Sequence, residues 1–207
     1  MHFQRRASKV TPLPQPLTVP TSGDFDGDDG KWSSFNINIG NDGTGTGQNF
    51  KVLVSTSSGL TLVPQQASWC NTECAKGRGV QTFNAQPARG LVTTGSKTWE
   101  STGLYGIPLP DWFTTANVTM DPAPGGAFGK DYVAPGQTVA GTTVASKQLV
   151  VAYSDKDFYM GWLGLAAGSS GVPNGSLPNF LDNLATTGSS VIPSRSFGYS
   201  AGASYSK

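Results

Sequence analysis

Four consecutive hydroxyl residues, Ser55-Thr56-Ser57-Ser58, follow directly on the apolar run Val52-Leu53-Val54 and end at Gly59. A strand that delivers small polar side chains into a tight loop can present them at a fixed point, so chemistry is sought here first. A serine hydroxyl becomes a nucleophile only beside a base, most often histidine. The single histidine is His2, in an N-terminal stretch where disorder is expected. Lys51 is the nearest other base, but four residues along a strand separate it from Ser55 by about 13 Å. These hydroxyls can hold a water by hydrogen bonds and cannot activate it.

The other chemistry-bearing residues are few. Cys70 and Cys74 flank Asn-Thr-Glu, and no further cysteine or suitable histidine completes a zinc site, which leaves a small-loop disulfide or two free thiols. The acidic stretch Asp24-Phe25-Asp26-Gly27-Asp28-Asp29-Gly30 invites a calcium reading. An EF-hand loop starting at Asp24 needs glycine at Asp29 and glutamate at Phe35, and has neither, so the stretch reads as a turn. Asn117-Val118-Thr119 and Asn174-Gly175-Ser176 are sequons for N-glycosylation.

The elements that must position these residues are mostly strands. Residues 1–22 hold Pro12, Pro14, Pro16 and Pro20 and read as an extended, weakly packed leader or linker. Trp32 to Gly40 alternates polar and apolar residues, a half-buried strand. A Gly/Thr turn follows, and Gln48 to Val54 returns as the second strand of a hairpin. Leu62-Val63-Pro64 resumes after the hydroxyl loop, and Lys147 to Ala152 is a further apolar strand. Asn179 to Leu184 is the clear helix, with Phe180, Leu181 and Leu184 on one face, Pro178 before it and Gly188 beyond.

Composition bounds the class. With 14 Lys and Arg against 13 Asp and Glu, the chain has no charge excess to attract nucleic acid or an acidic membrane. Only 13% of residues are charged while Gly numbers 27 and Pro 14, which suits an all-β, turn-rich extracellular protein. No apolar run approaches the ~20 residues that span a bilayer. Arg5 and Arg6 are followed by no apolar core, so the chain reads as a mature or trimmed piece rather than one carrying a secretory leader.

Several segments, in order, resemble the N-terminal lobe of the pepsin-like aspartic proteases. Ile39-Gly40 and Gln48 resemble the opening Ile-Gly-x-Pro-x-Gln, with a longer turn between. Val52-Leu53-Val54-Ser55-Thr56-Ser57-Ser58 resembles the apolar strand and Asp-Thr-Gly-Ser loop, followed by Val63-Pro64. Trp69-Cys70 to Cys74 resembles the small disulfide loop, and Ser96-Lys97-Thr98-Trp99 the approach to the flap. Gly125 to Asp131 resembles the returning flap strand. Phe158 to Leu165 resembles the strand that passes behind the active loop, and Val191 to Ser200 the strand that ends the lobe.

The resemblance covers about Asp26 to Tyr205 and lies nearest to filamentous-fungal members with Ser-Thr-Ser in the loop. It implies a mainly β fold with one or two short helices, a pepsin-like half-barrel lobe over 23–207, with the second lobe not in this chain. It implies a Cys70–Cys74 disulfide, secretion or cell-surface exposure, and no cofactor.

The same resemblance places Ser55 where the first catalytic Asp stands. Aspartic proteases need two close carboxylates that share a proton, and serine can neither take the proton of the attacking water nor set a partner's pKa. Counting back from Gly129 puts Thr119, with Asn117 beside it, where active members carry the flap tyrosine.

The implied function is therefore a catalytically inactive lobe. Its groove, around Ser55, Thr56, Ser57, Ser58 and Thr119, would take a peptide or a cell-wall component, and its uncovered face would take a second lobe or another copy of the chain. The alternative is an aspartic endopeptidase fragment, active only with a second lobe, whose acid is Asp42 or Asp111; neither follows an apolar strand and precedes Thr-Gly or Ser-Gly.

Overall fold

The computed structural model describes residues 16–26, 33–43, 47–107, 125–136, 145–156, 159–167, 170–172, 175–186 and 192–199. The strands are β1 Phe35–Ile39, β2 Gln48–Ser55, β3 Thr61–Pro64, β4 Val80–Gln81, β5 Glu100–Gly106, β6 Gly125–Pro135, β7 Ala145–Tyr153, β8 Trp162–Gly164, β9 Ser170–Val172 and β10 Gly175–Leu177. Among the described residues two short helices accompany them, α1 Thr72–Gly77 and α2 Phe180–Thr186. The protein is all-β in class.

Its sheet closes on itself. Neighbours run β1-β2-β8-β3-β7-β6, and β6 pairs back to β1 through Ile37↔Pro135 and Ile39↔Val133, completing a six-stranded barrel. Closure leaves no free edge in the ring. β4 hangs from β2, and β5 extends from β6 as an outer ribbon on which Leu104 is 81% exposed.

The expected hairpin is present, with Ile37 opposite Phe50 and Ile39 opposite Gln48. β1, however, is buried along its whole length rather than on one face. The amide nitrogens of its two buried asparagines each find a partner, while their side-chain oxygens have none. Asn38 Nδ2 donates to Asn49 Oδ1 at 2.7 Å, and Asn36 Nδ2 donates to the Thr21 carbonyl at 3.3 Å. Thr21 belongs to the proline-rich stretch, whose end joins the sheet: the Asn36 N–H donates to Pro20 O at 3.0 Å, and Leu17 and Val19 pack on the core.

Two apolar layers lie on opposite faces of β7. Val150 and Ala152 join Ile37, Phe50, Val63, Leu163 and helix α2, while Leu149, Val151 and Tyr153 join Leu60, Leu62 and Phe128. A strand covered on both sides reads as a continuous apolar run, and Leu149 to Tyr153 does.

Helix α2 matches its sequence expectation. Asn179 caps it, its Oδ1 accepting from the Asp182 N–H at 2.8 Å. Helix α1 was not expected, and it forms around the cysteines: Asn71 is the N-cap, accepting from the Cys74 N–H at 2.9 Å, with Glu73 in the first turn.

That turn brings the Cα atoms of Cys70 and Cys74 to 5.3 Å, and the two form a disulfide. So short a closed loop constrains the unfolded chain by about 2 kcal/mol. Replacing both cysteines by serine should therefore lower unfolding free energy by about 2 kcal/mol in urea titration; no loss would mean that α1 holds the turn unaided.

Two strand expectations are corrected. The Phe158–Leu165 stretch is a strand only over Trp162–Gly164, and Phe158 lies outside the described residues. Residues 192–199 form no strand: Pro193 has no N–H to give a ladder, and the Ser196 N–H turns back to Ser194 Oγ at 3.4 Å. Among the described residues no helix is long and apolar enough to cross a membrane.

Candidate functional site

β2 and β3 are consecutive in the chain, yet β8 lies between them. It runs parallel to β2, with Val54↔Leu163 and Ser55↔Gly164, and antiparallel to β3, with Leu62↔Trp162. The loop 56–60 therefore bridges over a strand instead of making a hairpin. The arrangement demands close backbone approach. A Cβ on Gly164 would sit 2.5 Å from the Gly59 carbonyl carbon and 2.5 Å from Leu60 O, and one on Gly161 would collide with Leu62 O. Glycine is required at both positions for space.

Ser55 is thus the last residue of β2, at the tip of a strand-loop-strand, as its sequence predicts. Its carbonyl accepts from the Leu165 N–H at 2.8 Å, and Ser58 O accepts from the Ala166 N–H at 3.1 Å, so the chain after β8 pins the loop at both ends. The Ser55 hydroxyl lies 3.3 Å from the Ser57 hydroxyl, and Ser58 Oγ accepts from the Leu60 N–H at 3.1 Å. Thr56 and Ser57 are exposed, Ser55 and Ser58 half-buried. Hydroxyl meets hydroxyl here: the pair can position a water or a peptide carbonyl, and neither can carry a charge at neutral or acid pH.

The bases considered for Ser55 are elsewhere. Lys51 Nζ sits between Asp26 Oδ1 at 2.8 Å and Asp24 Oδ2 at 3.1 Å, with Ser34 Oγ donating to Asp26 at 2.5 Å. Burial pushes the Lys51 amine down, but its two carboxylate partners outweigh this and raise it above its ordinary value, so it stays protonated. For Asp26, burial pushes the carboxyl up, and the hydrogen bonds from Lys51 and Ser34 overcome it and hold the group below the usual range. The acidic turn is thereby a clamp on β2.

Asp42 lies in the β1–β2 turn, at the far end of an eight-residue strand from Ser55. The span is about 25 Å, too far to form a carboxylate dyad with a group at that loop. His2, Asp111, Asn117, Thr119 and Asn174 lie outside the described residues. The stems of the expected flap are described: β5 pairs with β6 from Glu100↔Lys130 to Gly106↔Gly125.

Beside the hydroxyl loop runs an apolar groove of about 630 Å³, walled by Val54, Leu163, Leu165 and Leu184 and by Val19 and Phe35. Val54, the residue before Ser55, lines this groove, while Ser55 to Ser58 do not; on a strand the Val54 and Ser55 side chains point to opposite faces.

A perturbed acid lies at the other end of the barrel. Asp131 of β6 is 0% exposed. Its Oδ1 accepts from the Tyr132 N–H at 2.8 Å, and the Thr98 hydroxyl also hydrogen-bonds to the carboxylate. Burial pushes the carboxyl up to about 6; the Thr98 hydroxyl, the Tyr132 N–H and Lys147 act against it without prevailing. Gln148, directly across the ladder, is equally buried, with both amide atoms unpartnered.

Sequence reasoning gave Asp131 no role. The available signal was a lone acid, beside Lys130, in a mostly apolar strand, Ala127-Phe128-Gly129-Lys130-Asp131-Tyr132-Val133-Ala134. Comparison with protein-family models and with curated proteins finds no match to this chain.

Proposed function

We propose that this chain is a non-catalytic lobe of the pepsin-like class, an extracellular binding module that takes an extended peptide along the Ser55–Ser58 loop without cutting it. One observation carries the reading: at the loop tip, held from behind by β8, the side-chain partner of the Ser55 hydroxyl is another hydroxyl, Ser57. Peptide hydrolysis by an acid pair needs an ionised carboxylate to take the water's proton. Ser55 cannot supply one, and Asp42 sits beyond reach at the opposite end of β2. The same loop retains fixed hydroxyls, and Val54 just before it lines an apolar groove. On this reading the groove is also the surface that a second lobe, or a second copy of the chain, would cover.

Two measurements test it. Cleavage of denatured protein at acid pH should be undetectable, and Ser55→Asp alone should not create it, because a lone carboxylate lacks the partner that sets its pKa. Pepstatin-sensitive proteolysis that survives repurification of the unmodified chain would overturn the non-catalytic half. Titration with an extended apolar peptide should shift the amide resonances of Ser55, Ser57 and Leu165. Shifts confined to other parts of the barrel would overturn the binding half.

A further inference from the structure

A cavity of about 340 Å³ opens at the end of the barrel away from Ser55. The β1–β2 turn forms one wall at Gly40 and Gly47, residues 86–92 form another, and Ser96 to Thr98 form the third. Asp131 lies at its floor, beneath Gly40: a Cβ on that glycine would lie 3.7 Å from Asp131 Oδ2 and 3.5 Å from Thr98 Oγ1. Among the described residues the lining holds one acid, Asp131, and two cations, Arg89 and Lys97, both exposed. Between them are amides and apolar atoms, including Gln66, Gln86 and Leu91.

We propose that this cavity is a binding site for a basic amino acid, its cationic side-chain end on Asp131 and its carboxylate on Arg89 and Lys97. The charges select this class by elimination. A buried carboxylate that meets only a backbone N–H and a hydroxyl is costly to ionise, and an ammonium or guanidinium supplies both a further donor and the counter-charge. A bare cation would meet two exposed cations on entry, whereas a carboxylate on the same ligand turns that repulsion into attraction. The volume is at the small end for ligand sites, suited to one amino acid rather than to a peptide. This site is separate from the Ser55 loop, so its fate is independent of the function proposed above.

Binding on this model needs Asp131 ionised, so protons compete with the ligand. Other charged and titratable groups on the surrounding elements are Lys130 and Tyr132 of β6, Lys147 of β7 with its partner Glu100 of β5, Arg89, Lys97, and Asp42 of the turn. With the free carboxyl titrating near 6, about one-tenth is ionised at pH 5, and affinity should fall roughly tenfold between pH 7.5 and 5.

The experiment is calorimetric titration of the full 207-residue chain with L-arginine and L-lysine as probes, beside citrulline, which lacks the side-chain charge, and agmatine, which lacks the carboxylate. At least one of the two amino acids should bind, with citrulline and agmatine each weaker by about tenfold or more, the loss expected when a hydrogen bond to a charged group is removed. Asp131→Asn should lower affinity by about as much and abolish its pH dependence. The double variant Arg89→Ala, Lys97→Ala alters exposed residues only and should bring the amino acid to the agmatine level with Asp131 intact.

Amide shifts at Gly40, Gly47 and Gly90 should locate the probe. The proposal is overturned if neither amino acid binds at millimolar concentration, if Asp131→Asn binds as the parent does with the same pH profile, or if the shifts avoid this cavity.

Discussion

Asp131→Asn should stabilise the protein at neutral pH and leave it nearly unchanged in acid. Asp131 titrates at 3.8 in an unperturbed chain and at about 6 in the fold, because burial disfavours its charge. The fold therefore binds a proton that the unfolded chain has released, and between these values unfolding free energy falls as pH rises. The contribution is fully present below about pH 3.8 and lost once pH passes 6. The difference of roughly two pKa units corresponds to about 3 kcal/mol.

Asparagine keeps an oxygen for the Tyr132 N–H and has no charge to bury. At pH 7.5 the variant should gain up to about 3 kcal/mol, a rise of about 6–12 °C in Tm for a chain of this size. Urea titrations of both proteins at pH 4 and 7.5 check this: the parent should weaken across the interval by more than the variant. Parallel pH profiles would mean that Asp131 is solvated or paired in solution.

What the sequence made legible was local. The hairpin of β1 and β2, the break at Ser55 and the helix after Asn179 each follow from side-chain period and from residues that start or stop an element, and each forms as its pattern predicts. The glycines of the β8 segment were legible in kind, as places where backbone meets backbone. Helix α1 was legible as well, since Asn71 and Glu73 are a start signal, but six residues around two cysteines read first as a disulfide loop. The strand expected over 191–200 failed for a local reason, because Val-Ile promised a ladder that Pro193 and the serines do not continue.

The burial of Asp131 was not legible, because it depends on closure. Nothing near Asp131 in the chain says that β6 returns to pair with β1, or that residues 86–98 cover the junction. The same holds for the clamp of Asp24 and Asp26 on Lys51, which looks like a turn until the two segments meet. Non-local pairing creates both environments, and residue patterns carry little of it. The proposed peptide surface and the proposed amino-acid site therefore stand on different kinds of information, one on a motif and the other on topology.

Gly164→Ala should be among the most damaging conservative substitutions in the barrel. The site of its missing side chain is enclosed by backbone: Gly59 C at 2.5 Å, Leu60 O at 2.5 Å and Leu60 N at 2.7 Å. Such neighbours cannot rotate away as a side-chain tip does. Relief requires moving the loop 56–60 away from β8, or β8 away from β2. Either motion breaks the Ser55↔Gly164 pairing and the hydrogen bond from the Leu165 N–H to Ser55 O.

Overpacking costs typically 1–3 kcal/mol, and with three backbone atoms of Gly59 and Leu60 under 3 Å the loss should be about 3 kcal/mol or more. Gly106→Ala, at the end of β5 where an added Cβ meets nothing within 4 Å, should change stability by less than about 0.5 kcal/mol and serves as the control. If Gly164→Ala folds as stably as Gly106→Ala, then loop and strand do not touch as described. The placement of Ser55, and with it the proposed peptide site, would fall with that contact.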